Sequence, residues 1–355
     1  MSQTAQHPEA TPQIPCGKIG LGRGTVLWIL FFLICFGLGY ATLNRYDPRA
    51  AGLKDAAAYY EIVAHGPTAD LEHMRFRVLV PFLAKPFYWA ARGRVGTWDP
   101  VFFGLLVANS LFIATTALLL VRIGCQQAGD LAVALLGATI YLLNFEVPNL
   151  RLAGLIDAGE GCFLLFVVWS LLEDRWRFLP LWGLLGALSK ETFVLYAAVL
   201  VTVWWLVSSR QHVARLSRAA WAAGMVAVAF AVVGIVQAWL VGHVVWPWQF
   251  AATLGTWPGF AGRFVRLLGD RQSWYGFVWL LPLGLWRLNR LSRPWCIASA
   301  TTILCPLLLS AYHSADPGTW GRAAFSIAGP LLSLSVALVL SGPARSIGRE
   351  AARVQ

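Results

Sequence analysis

The chain has 355 residues, of which 58% are apolar, and its mean hydropathy is +0.62. Charged residues make up 13%, about half the share of a soluble protein. These values exclude a soluble globular domain, a disordered chain and a disulfide scaffold; the apolar content is roughly that of ten membrane spans of twenty residues.

There are 28 Lys+Arg against 17 Asp+Glu, a net charge of +11. In a soluble protein this excess would suggest nucleic acid. No basic, aromatic-studded soluble segment exists here to carry such binding, so nucleic acid is not an expected partner. The excess reads instead as a positive-inside bias and as contacts to anionic membrane lipids. The 18 Trp suit interfacial belts. The six cysteines are scattered, with no C-x-x-C pair, and read as small core residues rather than disulfides or metal ligands.

Residues 1–24 are polar and read as a cytoplasmic tail. The apolar run at 25–44 is too long for an ordinary signal-peptide core and lacks a convincing A-x-A cleavage site, so it reads as an anchored first helix. Residues 45–98 are mixed. The stretch 55–65 predicts a short amphipathic helix. The stretch 76–91 is apolar but interrupted by Pro81, Lys85 and Pro86, which suits a helix lying at the interface; a true span at 78–92 is the alternative. Further spans are predicted at 100–121, 128–147, 155–172, 178–190, 192–208, 219–245, 274–289, 296–312 and 323–341. The run 178–208 is divided because Lys190 and Glu191 at mid-depth of one span would be costly, whereas a charged tip between two short helices reaches water. Residues 345–355 form a second tail. The expected fold is all-α: one polytopic transmembrane domain over 25–344 with about ten spans and interfacial helices in its first outer loop.

With the N-terminus inside, the inner segments carry 14 Lys/Arg and the short outer loops 6; the long segment 45–98 adds 8 more outside, but long loops weigh less in this rule. Both termini are therefore expected in the cytoplasm, with the long segment 45–98 on the outer side.

Glu173, Asp174, Asp130 and Glu350 read as solvated charges on the inner side. The unusual carboxylates fall on the outer side: Asp47, Asp55, Glu61, Asp70, Glu72, Glu146, Asp157, Glu160, Glu191, Asp270 and Asp316. Arg75, Arg77, Lys190 and Arg322 lie on the same side. Together they suggest a polar cavity at the outer membrane surface, although most of these carboxylates read as loop charges touching water. Asp55 stands at the start of a short helix. There it could cap the helix or act as a general base toward a hydroxyl. His65 reads as structural. No His/Asp/Glu spacing marks a dedicated metal site, and a Mg²⁺ or Mn²⁺ shared between carboxylates and a phosphate stays open.

Asp55-Ala56 with Tyr59, Ala64 and Gly66, followed by Arg75-Phe76-Arg77 with Leu79 and Pro81, resembles the first outer loop of the GT-C superfamily of membrane glycosyltransferases. Gly154-Leu155-Ile156-Asp157 looks like the family's Gly-x-Thr-Asp, and Leu188-Ser189-Lys190-Glu191 like its Leu-Thr-Lys. Arg322 precedes a last span containing Pro330, as in many members. The motifs touch most of the chain but are short and degenerate, and the adjacent Asp-Glu pair of many members is Asp55-Ala56 here. The resemblance implies a polyprenyl-phosphate-linked sugar donor, a lipid, glycan or protein acceptor, and a site facing the exterior of a bacterial inner membrane. It implies Asp55 as the base of an inverting displacement, with Arg75, Arg77, Lys190 and Arg322 supplying cations to the phosphate. Tyr59, one turn on, would line the substrate site. Asp157 could orient the acceptor, bind a metal or pair with Arg151. A transporter or flippase for a lipid-linked substrate, and a non-catalytic assembly subunit, are the other classes compatible with the chain. Walker A, G-x-S-x-G and H-E-x-x-H motifs are absent, against an ATPase, a serine hydrolase and a zincin protease.

Overall fold

The computed structural model describes residues 20–44, 54–208, 212–243, 257–274, 280–288, 293–313 and 319–340. Most of both tails, Asp47 and Asp316 lie outside the described residues, as does the side chain of Glu72. All the described elements are helical. They are α1 (Leu21–Asn44), α2 (Lys54–Ala64), α3 (Leu79–Ala91), α4 (Pro100–Ala128), α5 (Leu131–Leu142), α6 (Asp157–Leu172), α7 (Leu179–Ser189), α8 (Thr192–Ser208), α9 (His212–Val241), α10 (Phe260–Leu268), α11 (Leu280–Leu288), α12 (Arg293–His313) and α13 (Thr319–Leu340). Short 3-10 helices occur at Ala69–Phe76 and Trp176–Phe178, a π-helical turn at Val147–Arg151, and a single α-helical turn at Arg271–Ser273.

Each of the ten predicted apolar runs overlaps a helix. Among the described residues, four helices are long and apolar enough to cross a membrane: Leu21–Ala41, Pro100–Ala128, Leu216–Val241 and Pro294–His313. A fifth is the pair Trp320–Ser326 and Ala328–Val339, bent by 68°. The other apolar helices are shorter. α5 has 12 residues and α7 has 11, so at 1.5 Å per residue they reach about 16–18 Å against a hydrocarbon core of about 30 Å.

α4 is the central helix. Asp99 caps it, accepting from the amides of Val101 and Phe102 at 2.8 and 3.1 Å, with Pro100 in the first turn where its missing N–H costs nothing. Gly129 ends it in the left-handed region at φ 69°. α1 packs on one side, tied by Trp28 Nε1 donating to Thr115 Oγ1 at 3.0 Å. α3 packs on another, close enough that a Cβ on Gly104 would stand 2.7 Å from the Ala84 carbonyl oxygen. α3 begins at Leu79, three residues later than predicted, because Ala69–Phe76 forms a 3-10 turn. Its 13 residues reach about 20 Å, short of a span.

α2 buries Ala56, Tyr59, Ile62 and Val63, a stripe at helical spacing, against Val80, Phe102, Leu105, Leu155 and Ile156. This fixes the segment between α1 and α4 to the bundle. α6 is buried along most of its length, with Phe166, Trp169 and Leu172 partly exposed. Pro330 lacks the N–H that would bond the Ser326 carbonyl, and α13 bends there. The freed carbonyl approaches α6: a Cβ on Gly161 would lie 2.9 Å from Ser326 O and 3.1 Å from Arg151 Nη1. Gly161→Ala is therefore expected to cost about 1–3 kcal/mol, read as a lowered melting temperature of the detergent-solubilised protein. An unchanged melt would show that α13 yields freely at this point.

Cys35 and Cys162 are buried free thiols, as small core residues are. Cys125 departs from the expectation: it is disulfide-bonded.

Candidate functional site

Four separated parts of the chain meet at one end of α6. Asp157 opens α6, after a turn in which Gly154 adopts φ +103°, open to glycine at no steric cost. α7 ends at Ser189 and α8 begins at Thr192, which leaves Lys190 and Glu191 at the break. α13 contributes Arg322, and α2 contributes Asp55.

The side chains form a chain of ion pairs. Arg322 Nη2 donates to Asp55 Oδ2 at 2.8 Å, and Arg322 Nε lies 3.7 Å from Asp157 Oδ2. Lys190 Nζ donates to Asp157 Oδ1 at 2.6 Å and stands 3.4 Å from Glu160. Thr192 Oγ1 donates to Glu160 at 2.6 Å. Beside them, Arg77 grips Glu191 through Nε at 2.9 Å and through Nη2, while its Nη1 donates to the Tyr59 hydroxyl at 2.7 Å. The two ends of this chain differ in exposure. The Arg322 and Asp55 side chains are 23% and 30% exposed, whereas Lys190 and Asp157 are 7% and 4% exposed. The Asp55–Arg322 end is the solvent-accessible one.

Lys190 does not stand at a charged tip in water, as the sequence suggested. It is buried, and the charge is neutralised by carboxylates from α6, one helix earlier in the chain. Glu146, Asp157 and Glu160 are likewise buried rather than loop charges. By contrast, Glu61 pairs with His65 at 2.8 Å on the surface. Asp70 is exposed, its carboxyl held below the usual range first by the Thr68 hydroxyl and then by its own backbone amide.

Of the candidate residues, Asp55, Asp157, Lys190 and Arg322 come together. Arg77 and Tyr59 form the adjoining branch. Arg75 is not joined to them: its guanidinium lies over the Phe76 ring, 5.0 Å from the centroid, with no carboxylate partner among the described residues. Of the three roles open to Asp157, pairing with Arg151 takes another form. The carboxylate binds Lys190, and Arg151 donates to the Asp157 backbone carbonyl at 3.1 Å and to Ser326 Oγ at 2.9 Å. Asp55 does not serve chiefly as a cap either; its carboxylate turns across the bundle to Arg322.

From sequence, Glu160 and Glu191 stand only among the outer-side carboxylates and Arg151 only as a possible partner of Asp157; none of the three carries a role in the site. The signal available was an ionisable residue inside an apolar run, which by itself points to a partner in the bundle interior. Among the described residues, no group of three or more His, Cys, Asp or Glu side chains is disposed to hold a metal ion, and the carboxylates of the cluster are engaged by cations.

Tyr59 accepts from Arg77 but leaves both Glu191 bonds intact if its hydroxyl is lost. Tyr59→Phe is expected to cost about 1 kcal/mol of stability and to keep the fold. A loss several times larger, measured by thermal unfolding, would mean that the hydroxyl holds more than Arg77. No protein-family model matches this chain, and no curated protein matches it.

Proposed function

We propose that the chain is an integral membrane glycosyltransferase of the GT-C kind, taking a sugar from a polyprenyl-phosphate donor to an acceptor hydroxyl. The architecture we propose has about ten spans, both termini in the cytoplasm and the ion-pair cluster toward the exterior. The shorter helices α5, α6, α7, α8 and α11 would supply the spans beyond the long ones. The observation that carries this reading is the convergence of Asp55 and Arg322, 267 residues apart, at the accessible end of a buried charge cluster. A carboxylate beside a guanidinium is what a displacement at a phosphate-activated sugar needs.

Asp55 takes the proton of the acceptor hydroxyl as its oxygen attacks the anomeric carbon. The bond from that carbon to the phosphate oxygen breaks, and its electron pair leaves on the polyprenyl phosphate. Arg322 has five N–H donors and uses only part of this fork on Asp55 and Asp157, so it can also face the leaving phosphate. Lys190 and Arg77 act at one remove: each is neutralised and closed off, and each fixes a carboxylate or a helix end. Asp157, held between Lys190 and Arg322, positions Arg322.

The test is donor class. The purified chain, given labelled polyprenyl-phosphate sugars or labelled nucleotide sugars with hydroxyl acceptors, is expected to transfer label only from the former. Transfer from nucleotide sugars alone, or from neither donor, would count against the proposal.

A further inference from the structure

The far end of the α6–α7 pair carries a second charged concavity. α6 runs 16 residues away from Asp157, so its last turn lies about 24 Å from the ion-pair cluster. The connection to α7 turns sharply at Asp174, whose φ of 56° lies in the left-handed region. The Asp174 carboxylate accepts from Trp176 Nε1 at 2.7 Å and from Arg218 Nη2 at 2.9 Å. These bonds tie the turn to the start of α9. α7 and α9 also close on each other further along, where a Cβ on Gly183 would come within 2.7 Å of the Met225 carbonyl oxygen.

Between the turn and α9 lies a pocket of about 440 Å³, lined by Asp174 together with Arg175, Trp176, Arg177, Ser217, Arg218 and Trp221. Three guanidiniums meet there. Arg175 pairs with Glu173 at 2.8 Å and lies over the Trp169 ring. Arg218 pairs with Asp174 and lies over Trp176. Arg177 is exposed, lies over Phe178, and has no carboxylate partner among the described residues. The pocket therefore holds one cation more than its carboxylates neutralise.

We infer that this pocket binds a phosphate-bearing anion, either the headgroup of an anionic phospholipid or a free phosphate compound. A guanidinium fork matches phosphate oxygens, and Arg177 is the donor left free to do so. The volume falls in the range of roughly 300–1,000 Å³ typical of small-molecule sites, more than a lone phosphate fills. Trp176 and Trp221 supply amphipathic walls of the kind found at headgroup depth. Arginines that merely follow the positive-inside bias would be spread along a face, whereas these converge on one concavity. The inference is independent of the proposed transfer reaction, since the two sites sit at opposite ends of α6.

The test uses the full chain in detergent. Short-chain phosphatidylglycerol and phosphatidylcholine are titrated in turn, and the first bound adduct is read by native mass spectrometry. Inorganic phosphate is titrated separately by thermal shift. Phosphatidylglycerol is expected to bind at least tenfold more tightly than phosphatidylcholine. Arg177→Gln, outside every ion pair among the described residues and hence expected to fold, should raise its Kd by about tenfold, with Arg177→Lys recovering part of the loss. Arg287→Gln, beside a tryptophan but outside the pocket, should leave the Kd unchanged. Stabilisation by inorganic phosphate that Arg177→Gln abolishes, without lipid discrimination, would support the site and assign it a soluble phosphate. Equal effects of Arg177→Gln and Arg287→Gln, or no binding of either ligand, would overturn the inference.

Discussion

Lys190→Met is expected to destabilise the protein by about 3–5 kcal/mol, the usual result of removing one partner of a buried ion pair. The methionine fills nearly the same volume, so lost packing contributes little. What remains is the charge imbalance. Asp157 and Glu160 are both buried and both lie within 3.4 Å of the ammonium, so its removal leaves two carboxylates facing each other with little access to water. The mutated residue also sits at the α7–α8 break, where the two helices are held onto α6 by these bonds. Thermal unfolding in detergent provides the measurement. Adding Asp157→Asn to Lys190→Met removes one of the two uncompensated charges, and the double variant should recover a substantial part of the loss; that non-additivity is the signature of direct coupling. A melt equal to wild type for Lys190→Met would show that the pair contributes nothing. Recovery absent in the double variant would show that the damage is steric.

The helices themselves were largely written in the chain. The apolar runs mark the helices because hydropathy is a local property, but not all their ends: the run predicted at 100–121 continues as α4 to Ala128, and α5 begins at Leu131 rather than 128. The break at Lys190–Glu191 was visible for the same reason. Its surroundings were not. The cost of charge at mid-depth predicted exposure of Lys190, while the structure removes that cost by pairing it with Asp157, 33 residues away. Arg77 likewise finds Glu191 across 114 residues, and Arg322 finds Asp55 across 267. Nothing in local sequence encodes such partners. The Lys/Arg count along the chain suggests that the carboxylates and cations share one side, and the resemblance to GT-C motifs brings Asp55, Asp157, Lys190 and Arg322 together as candidates. It also puts Arg75 among them, and the 3-10 turn Ala69–Phe76 turns Arg75 aside while Arg77 enters the cluster. Glu160 and Arg151 have no role legible in the sequence because their contacts, to Lys190 and to Ser326 and the Asp157 carbonyl, depend on the packing of α13 and the turn before α6.

Asp55 carries the largest predicted functional effect. Asp55→Asn keeps the shape of the side chain and an oxygen able to accept from Arg322, but it has no basicity. General base catalysis typically contributes about 10²–10⁴-fold, so turnover should fall by that order while the KM for donor changes little. Asp55 is part-exposed, and its loss of charge leaves Arg322 with Asp157 nearby, so the fold should persist. If Asp55 served only to begin α2, asparagine would do so about as well and activity would be near normal.

The most direct measurement is therefore label transfer from a polyprenyl-phosphate sugar by wild type and Asp55→Asn in identical lipid nanodiscs, with matched melting temperatures. The result expected is transfer by wild type and a loss of at least about a hundredfold in turnover for the variant, at similar donor KM. Equal turnover by a well-folded Asp55→Asn would contradict the assignment of Asp55 as base.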